Sequence, residues 1–115
     1  MKLIDELTAY GCDTQTALER FINSEDLYVK FLGKFLNDPS FAEIKPYMEA
    51  GDNENALKST HTLKGVAGNL GLTKLYDIAA DMVVKYRAGD PAAAEARYDE
   101  LAAEYKEVCE IIKAN

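Results

Sequence analysis

Hydrophobic residues recur at intervals of three and four positions along almost the whole chain of 115 residues. This spacing places them on one face of an α-helix, and no segment alternates apolar and polar residues as a half-buried strand would. The last segment shows the spacing without a break, at Ala94, Tyr98, Leu101, Tyr105, Val108 and Ile112. The pattern therefore predicts an all-α protein in which each helix buries one face.

Capping residues and glycines divide this pattern into helices joined by short turns. Helix starts are predicted at 13–14, at Ser24, at 52–53 and at the Asp-Pro pairs 38–39 and 90–91, where proline would be the first helical residue. Helix ends are predicted at Gly11, Gly51, Gly71 and Gly89. Because short turns favour antiparallel neighbours, we expect an up-and-down antiparallel four-helix bundle with additional short N-terminal helices. Residues 1–115 form a single domain in this prediction.

The helix predicted to start at 52–53 carries the only histidine of the chain. At about 100° per residue, its core-facing positions fall within about 40° of one line. These positions are Ala56, Thr60, Leu63, Ala67 and Leu70. His61 falls about 140° from that line, so its imidazole is predicted to face solvent.

Small and cationic residues surround this histidine on the same side of the helix. Lys64 follows at i+3, Gly65 at i+4 and Gly68 at i+7. A glycine inside a helix costs about 1 kcal/mol relative to alanine, and two on an exposed face have no packing reason within the monomer. We interpret them as clearance that lets another molecule approach the imidazole closely.

Two further residues complete the candidate docking surface. Lys58 lies at i−3 from the histidine on the exposed side, and Leu57 lies at i−4, where core and surface meet. Together with Gly65 and Gly68 they are the predicted partner-binding residues.

An exposed imidazole beside an ammonium group suits phosphoryl transfer. Imidazole is mostly neutral near pH 7, and its free nitrogen is a good nucleophile toward phosphorus. The transition state carries negative charge on its equatorial oxygens, which Lys64 can offset. The chain offers no other group for a metal or an oxyanion pocket around His61, so a partner would have to supply both.

Composition narrows the possible functions. The chain has 13 Lys and Arg against 20 Asp and Glu, a formal charge of −7, and no basic run, which argues against nucleic acid and anionic membranes as partners. Its apolar runs are too short to span a bilayer, and no signal peptide is predicted. Cys12 and Cys109 form no CxxC pair and suggest reduced thiols, their role left open. We expect a cytoplasmic monomer.

The segment from His61 to Gly71, HTLKGVAGNLG, resembles the signature of histidine-containing phosphotransfer (HPt) domains. That signature has the form His-x-Leu-Lys-Gly, then small residues, then a glycine ten positions after the histidine. The turn at 49–52 and the segment Ala17–Phe21 also resemble the family, so the resemblance extends over nearly the whole chain. Many members have serines where Val66, Ala67 and Gly68 stand here.

The resemblance implies a phosphocarrier. His61 would accept a phosphoryl group on Nε2 from an aspartyl phosphate of one receiver domain and donate it to an aspartate of another, while Lys64 would stabilise the phosphate. The partners would be receiver domains of hybrid histidine kinases and response regulators. The chain would bind no ATP, would not phosphorylate itself and would need no cofactor, because Mg²⁺ would be held by the receiver. Gly71 would be a structural helix cap.

Other classes of protein fit the sequence less well. The phosphoacceptor domain of a sensor kinase needs an ATP-binding domain in the same chain and a proline soon after the histidine, and 115 residues contain neither. An interaction module that has lost transfer should lack His61. A metal or haem bundle needs several inward ligands. The sequence leaves open which kinase and which response regulator are the partners and in which direction net transfer runs. It also leaves open whether the chain is a free-standing protein or a domain excised from a longer one.

Overall fold

The computed structural model describes all 115 residues and contains only helices and turns, which confirms the all-α prediction. Eight helices follow one another along the chain: α1 Lys2–Tyr10, α2 Thr14–Arg20, α3 Glu25–Phe35, α4 Ser40–Glu49, α5 Asn53–Asn69, α6 Thr73–Arg87, α7 Pro91–Glu95 and α8 Tyr98–Ala114. No helix is both long enough and apolar enough to cross a membrane.

Side-chain caps define the starts of four helices. Each cap accepts a hydrogen bond, 3.1 to 3.2 Å long, from the backbone N–H three residues further on. The capping residues are Asp13, Ser24, Asp52 and Asp90, all at predicted helix starts. The fourth helix begins one residue later than predicted, at Ser40, whose N–H donates to the Asp38 carboxylate at 2.9 Å.

The prediction of one continuous helix from Ala94 to Ile112 is wrong. The chain turns at Ala96 and Arg97, where the Arg97 N–H bonds the Ala94 carbonyl three residues back at 3.1 Å. The Arg97 guanidinium bonds Asp81 of α6 at 2.9 Å and Glu100 of α8 at 2.7 Å. The apolar spacing continues through this turn and therefore did not reveal it.

The helices pack around one hydrophobic core. Helix α5 contacts α4 on one flank and α6 on the other, and α6 also contacts α7 and α8. The Phe41 ring of α4 stacks on Tyr105 of α8, with centroids 4.0 Å apart, and so joins α4 to α8. Helix α1 lies against α8, and α3 contacts both α2 and α8. Helix α5 therefore lies between α4 and α6, and its residues Asn53, Glu54, Lys58, His61, Thr62, Gly65 and Asn69 are exposed.

Candidate functional site

His61 lies in the middle of α5 and is exposed. The five predicted core positions of this helix are all buried, with exposures between 0% and 4%. Thr60, next to the histidine, turns inward and donates its hydroxyl to the Ala56 carbonyl at 2.7 Å. The predicted orientation of the histidine is therefore confirmed: the core anchors one side of α5, and the imidazole stands on the other.

The two predicted lysines differ in their surroundings. Lys58 is exposed, and its ammonium lies 3.5 Å from the Glu54 carboxylate, an i, i+4 pair in solvent. Lys64 is half-buried, one turn after His61, and forms no ion pair. Of these two lysines, only Lys64 therefore has a positive charge that is not paired with a carboxylate of the chain. The exposed Thr62 beside the histidine donates its hydroxyl to the Lys58 carbonyl at 3.0 Å.

Gly65 and Gly68 are not equivalent. A Cβ added at Gly65 would meet nothing within 4 Å, so this position has the free space that the sequence predicts. A Cβ at Gly68 would lie 3.0 Å from Cδ2 of Tyr76 in α6. The expectation that neither glycine has a packing reason is therefore wrong for Gly68, because the Tyr76 ring lies over it.

Leu57 is half-buried and packs against the core, as its boundary position predicts. Ser59 is also buried, at 6% exposure, although the helical wheel did not include it in the core stripe. Its hydroxyl donates to the Glu43 carboxylate of α4 at 3.3 Å. Helix α4 covers this side of α5. The apolar pattern of α5 alone does not predict this burial, because it depends on the neighbouring helix.

Two side chains of the N-terminal helices hold the last turn of α5, and sequence reasoning assigned a role to neither. The Arg20 guanidinium donates to the Gly68 carbonyl at 2.9 Å. The buried Tyr28 hydroxyl donates to the Leu70 carbonyl at 2.7 Å. Both carbonyls lie in the last turn of α5, where a helix has few partners of its own for them, and the Gly68 carbonyl also accepts the Gly71 N–H at 3.2 Å. The sequence pointed to Arg20 only through the segment Ala17–Phe21, which resembles the HPt family.

Gly71 ends α5 with φ of +72°, the left-handed conformation that glycine adopts without cost. Its carbonyl accepts the Asp13 N–H at 2.9 Å, and a Cβ at this position would overlap the Asp13 carbonyl. The predicted cap is confirmed, and the same residue also joins the end of α5 to the start of α2.

The chain has two cysteines, Cys12 and Cys109. Both are buried free thiols, and burial raises the pKa of Cys12 to about 11. No group of three or more His, Cys, Asp or Glu side chains is placed to hold a metal ion.

Comparison with known proteins identifies one family. A family model described as "Hpt domain" matches residues 13–111, from the cap of α2 to the last turn of α8. The comparisons with curated proteins and with solved structures give no match.

Proposed function

The chain belongs to the Hpt domain family, and on this premise we propose that it carries a phosphoryl group between receiver-domain aspartates as phosphohistidine at His61. Hpt domains act in histidine phosphotransfer in two-component signalling. They are phosphocarriers rather than enzymes, and they interact with receiver domains. The exposure of His61 in the middle of α5 is the observation that supports this role most directly. The family match also covers both helices that flank α5.

The transfer step follows from the chemistry of a neutral imidazole. The lone pair on Nε2 of His61 attacks the phosphorus of an aspartyl phosphate on the receiver. As the N–P bond forms, the bond from phosphorus to the aspartyl oxygen breaks, and the carboxylate leaves with its electron pair. The ring keeps its proton on Nδ1 and becomes a phosphoimidazolium. Attack by the carboxylate of a second receiver reverses these changes and restores the neutral imidazole.

Lys64 supports this step electrostatically in our proposal. Lys64 follows His61 by three residues in α5, about one helical turn, and its ammonium group forms no ion pair with a carboxylate of the chain. It offsets charge on the equatorial oxygens of the transition state and on the phosphohistidine that forms. The receiver supplies Mg²⁺ and the acidic residues, and the chain itself contributes no cofactor.

The receiver approaches across the open face of α5. Gly65 leaves the space beside the imidazole free of side chains. Leu57 and Lys58 contribute apolar and charged contacts on the N-terminal side, and Gly68, with the Tyr76 ring over it, forms the other side of the surface. Because Tyr76 covers Gly68 in part, this tyrosine belongs to the same surface.

The scaffold for this face is a bundle in our proposal. Helices α4, α5, α6 and α8 form its up-and-down antiparallel core, with α1 to α3 packed on it and residues 1–115 as one domain. This assignment is supported by the contacts of α5 with α4 and α6, of α6 with α8, and of Phe41 with Tyr105. The domain acts as a monomer in the cytoplasm and binds neither nucleic acid nor membrane.

Replacement of His61 by glutamine tests the proposal. We expect wild type to take up label from a receiver domain charged with radiolabelled acetyl phosphate, and no label from ATP. His61→Gln should take up none, because glutamine keeps a polar side chain on the helix but has no nucleophilic nitrogen. Labelled protein is measured after separation from the receiver.

A neighbouring variant provides the control. Thr62→Ala changes the next exposed residue of α5 and should take up label as wild type does. Equal labelling of wild type and His61→Gln would refute phosphohistidine at this position.

A further inference from the structure

A hollow of about 460 Å³ lies where α2, α3 and the end of α5 meet. Five apolar side chains line most of it: Phe21, Phe31, Phe35, Val66 and Leu70. Phe35 and Leu70 are buried, at 2% and 4% exposure, whereas Phe31 is 39% exposed. A single exposed phenylalanine is ordinary on a protein surface. Here the exposed ring belongs to a concave apolar surface whose size is typical of sites for small molecules.

The rings of Phe21 and Phe31 form one side of this hollow. Their centroids lie 5.2 Å apart, with an angle of 35° between the ring planes. Phe21 also stacks on the buried Tyr28, with centroids 5.6 Å apart, so the pair is anchored to the core. Because these rings are already ordered, a flat apolar molecule can contact them at a small cost in side-chain entropy.

Two cations, Arg20 and Lys34, line the same hollow. The Arg20 guanidinium donates to the Gly68 carbonyl at 2.9 Å and has further N–H groups without a partner in the chain. The Lys34 ammonium lies 4.9 Å from the centroid of the Phe31 ring. Neither cation forms an ion pair within the chain. The hollow therefore presents unpaired positive charge beside apolar surface.

Asp38 is the only carboxylate in this lining. It accepts the Ser40 N–H at 2.9 Å and also the Ser40 hydroxyl, so it is engaged at the start of α4. The groove between α6 and α8 has the opposite character, because several glutamates line it. Of these two hollows, the one at Phe31 is therefore complementary to an anion that carries an apolar body.

The hollow lies on a different side of α5 from the histidine. At about 100° per residue, Val66 points about 140° away from His61, and Leu70 about 180° away. A molecule bound in the hollow is therefore not placed to contact the imidazole.

We propose that this hollow binds a small organic anion, a carboxylic acid with an aromatic body. The aromatic body packs against Phe31, Val66 and Leu70. The carboxylate accepts hydrogen bonds from Arg20 and lies close to the Lys34 ammonium, since a guanidinium matches the geometry of a carboxylate. The site is additional to the phosphoryl transfer proposed at His61 and does not depend on it.

Titration with naphthoate tests this proposal, and naphthamide is the neutral probe of the same shape. Chemical shifts of the backbone N–H groups of the isotopically labelled, unphosphorylated protein are measured by NMR. We expect saturable shifts at Phe31, Val66 and Leu70, with a Kd of about 1 mM or lower for naphthoate. Naphthamide should bind about fivefold more weakly, because it lacks the charge. No saturable shift with naphthoate, or equal affinities for the two probes, would overturn the proposal.

Substitution of Lys34 tests the role of charge. Lys34→Gln should weaken binding of naphthoate about threefold and leave binding of naphthamide unchanged, because glutamine has no charge. Lys30→Gln removes the same charge one turn earlier on α3, outside the lining, and should change neither affinity. Arg20→Gln should also lower the preference for naphthoate. A purely structural role of Arg20 would weaken both probes equally and leave that preference intact.

Substitution of Phe31 tests the apolar contact. Phe31→Ser should weaken both probes about fivefold, because one aromatic side of the hollow is lost. The protein should stay folded, as urea unfolding measures, since this ring is 39% exposed. Val84→Ser also replaces an exposed apolar side chain, at 63% exposure on α6, and should leave both affinities unchanged. Unchanged binding in Phe31→Ser would show that the probes bind elsewhere.

The same spectra distinguish a small molecule from a protein in the hollow. If neither probe shifts these N–H groups while a receiver domain does, a protein surface covers the hollow and the proposed site is wrong. The probe titrations use the domain alone, so their failure leaves phosphohistidine at His61 standing. Absence of labelling at His61 would, in turn, leave the anion site standing.

Discussion

Gly65 and Gly68 lie one helical turn apart on α5, yet only one of them is free of neighbours. Space beside His61 comes from Gly65, where an added Cβ would meet nothing. Gly68 lies under the Tyr76 ring and also accepts a hydrogen bond from Arg20. The two residues therefore contribute differently to the site, although their spacing from the histidine suggested the same role.

Alanine at each glycine distinguishes these environments. Gly65→Ala should stabilise the fold by about 1 kcal/mol, the ordinary difference between the two residues inside a helix. Gly68→Ala should gain less, because the Tyr76 ring must shift to make room. The free energy of unfolding in urea measures both, and equal gains would show that the Tyr76 contact carries no cost.

Lys64 can be removed without disturbing the core. Lys64→Ala should slow uptake of the phosphoryl group or shorten the lifetime of phosphohistidine, by about tenfold for one lost charge contact. Lys58→Ala, which breaks an exposed pair with Glu54, is the control and should have a smaller effect on both rates. Single-turnover labelling and the decay of the label give the two rates. Unchanged rates in Lys64→Ala would exclude this lysine from the transfer step.

Among the elements, α5 depends on its neighbours mainly at its last turn. Its start is capped by Asp52 from within the same segment. Its end receives hydrogen bonds from Arg20 of α2 and Tyr28 of α3, and Gly71 accepts one from Asp13 before α2. The helix that carries His61 is therefore completed by residues from the first quarter of the chain.

A pair of glycines with the same conformation measures the Gly71 contact. Gly71→Ala should destabilise the fold by about 2 kcal/mol or more, because alanine is strained at this φ and its Cβ meets the Asp13 backbone. Gly51 has φ of +69° with no neighbour within 4 Å, so Gly51→Ala should cost about 1 kcal/mol. Urea unfolding compares them, and equal losses would contradict a role for the Asp13 contact.

Over the whole molecule, burial of tyrosine hydroxyls links stability to high pH. Burial raises the pKa of Tyr105 from 10.0 to about 12 and that of Tyr28 further. The unfolded chain releases these protons near pH 10, while the folded chain keeps them. The stabilisation is therefore fully present below about pH 10 and is lost as the pH rises toward 12.

We accordingly expect the free energy of unfolding to fall between about pH 10 and pH 12. Tyr105→Phe should make this fall less steep, since it removes one of the titrating groups and keeps a ring to stack on Phe41. Urea unfolding at several pH values measures the slope. An identical slope in both proteins would show that the Tyr105 hydroxyl does not contribute.

The sequence alone determined the features that depend on neighbours within one or two helical turns. Helical periodicity predicted the buried stripe of α5 and the outward position of His61. Capping chemistry predicted the starts at Asp13, Ser24 and Asp52, because a side-chain oxygen there reaches a backbone N–H three residues away. The positive φ of Gly71 was also predicted locally, because glycine at the end of a helix commonly adopts the left-handed conformation.

Only the tertiary structure decided the contacts between helices. The Tyr76 ring over Gly68 and the Arg20 bond to its carbonyl join residues that are distant in sequence or lie on different helices. The turn at Arg97 is stabilised by Asp81 of α6, while the apolar spacing runs through it unchanged. Such contacts depend on how helices cross, and periodicity within one helix determines which face is buried but not which residue of a neighbour will cover it.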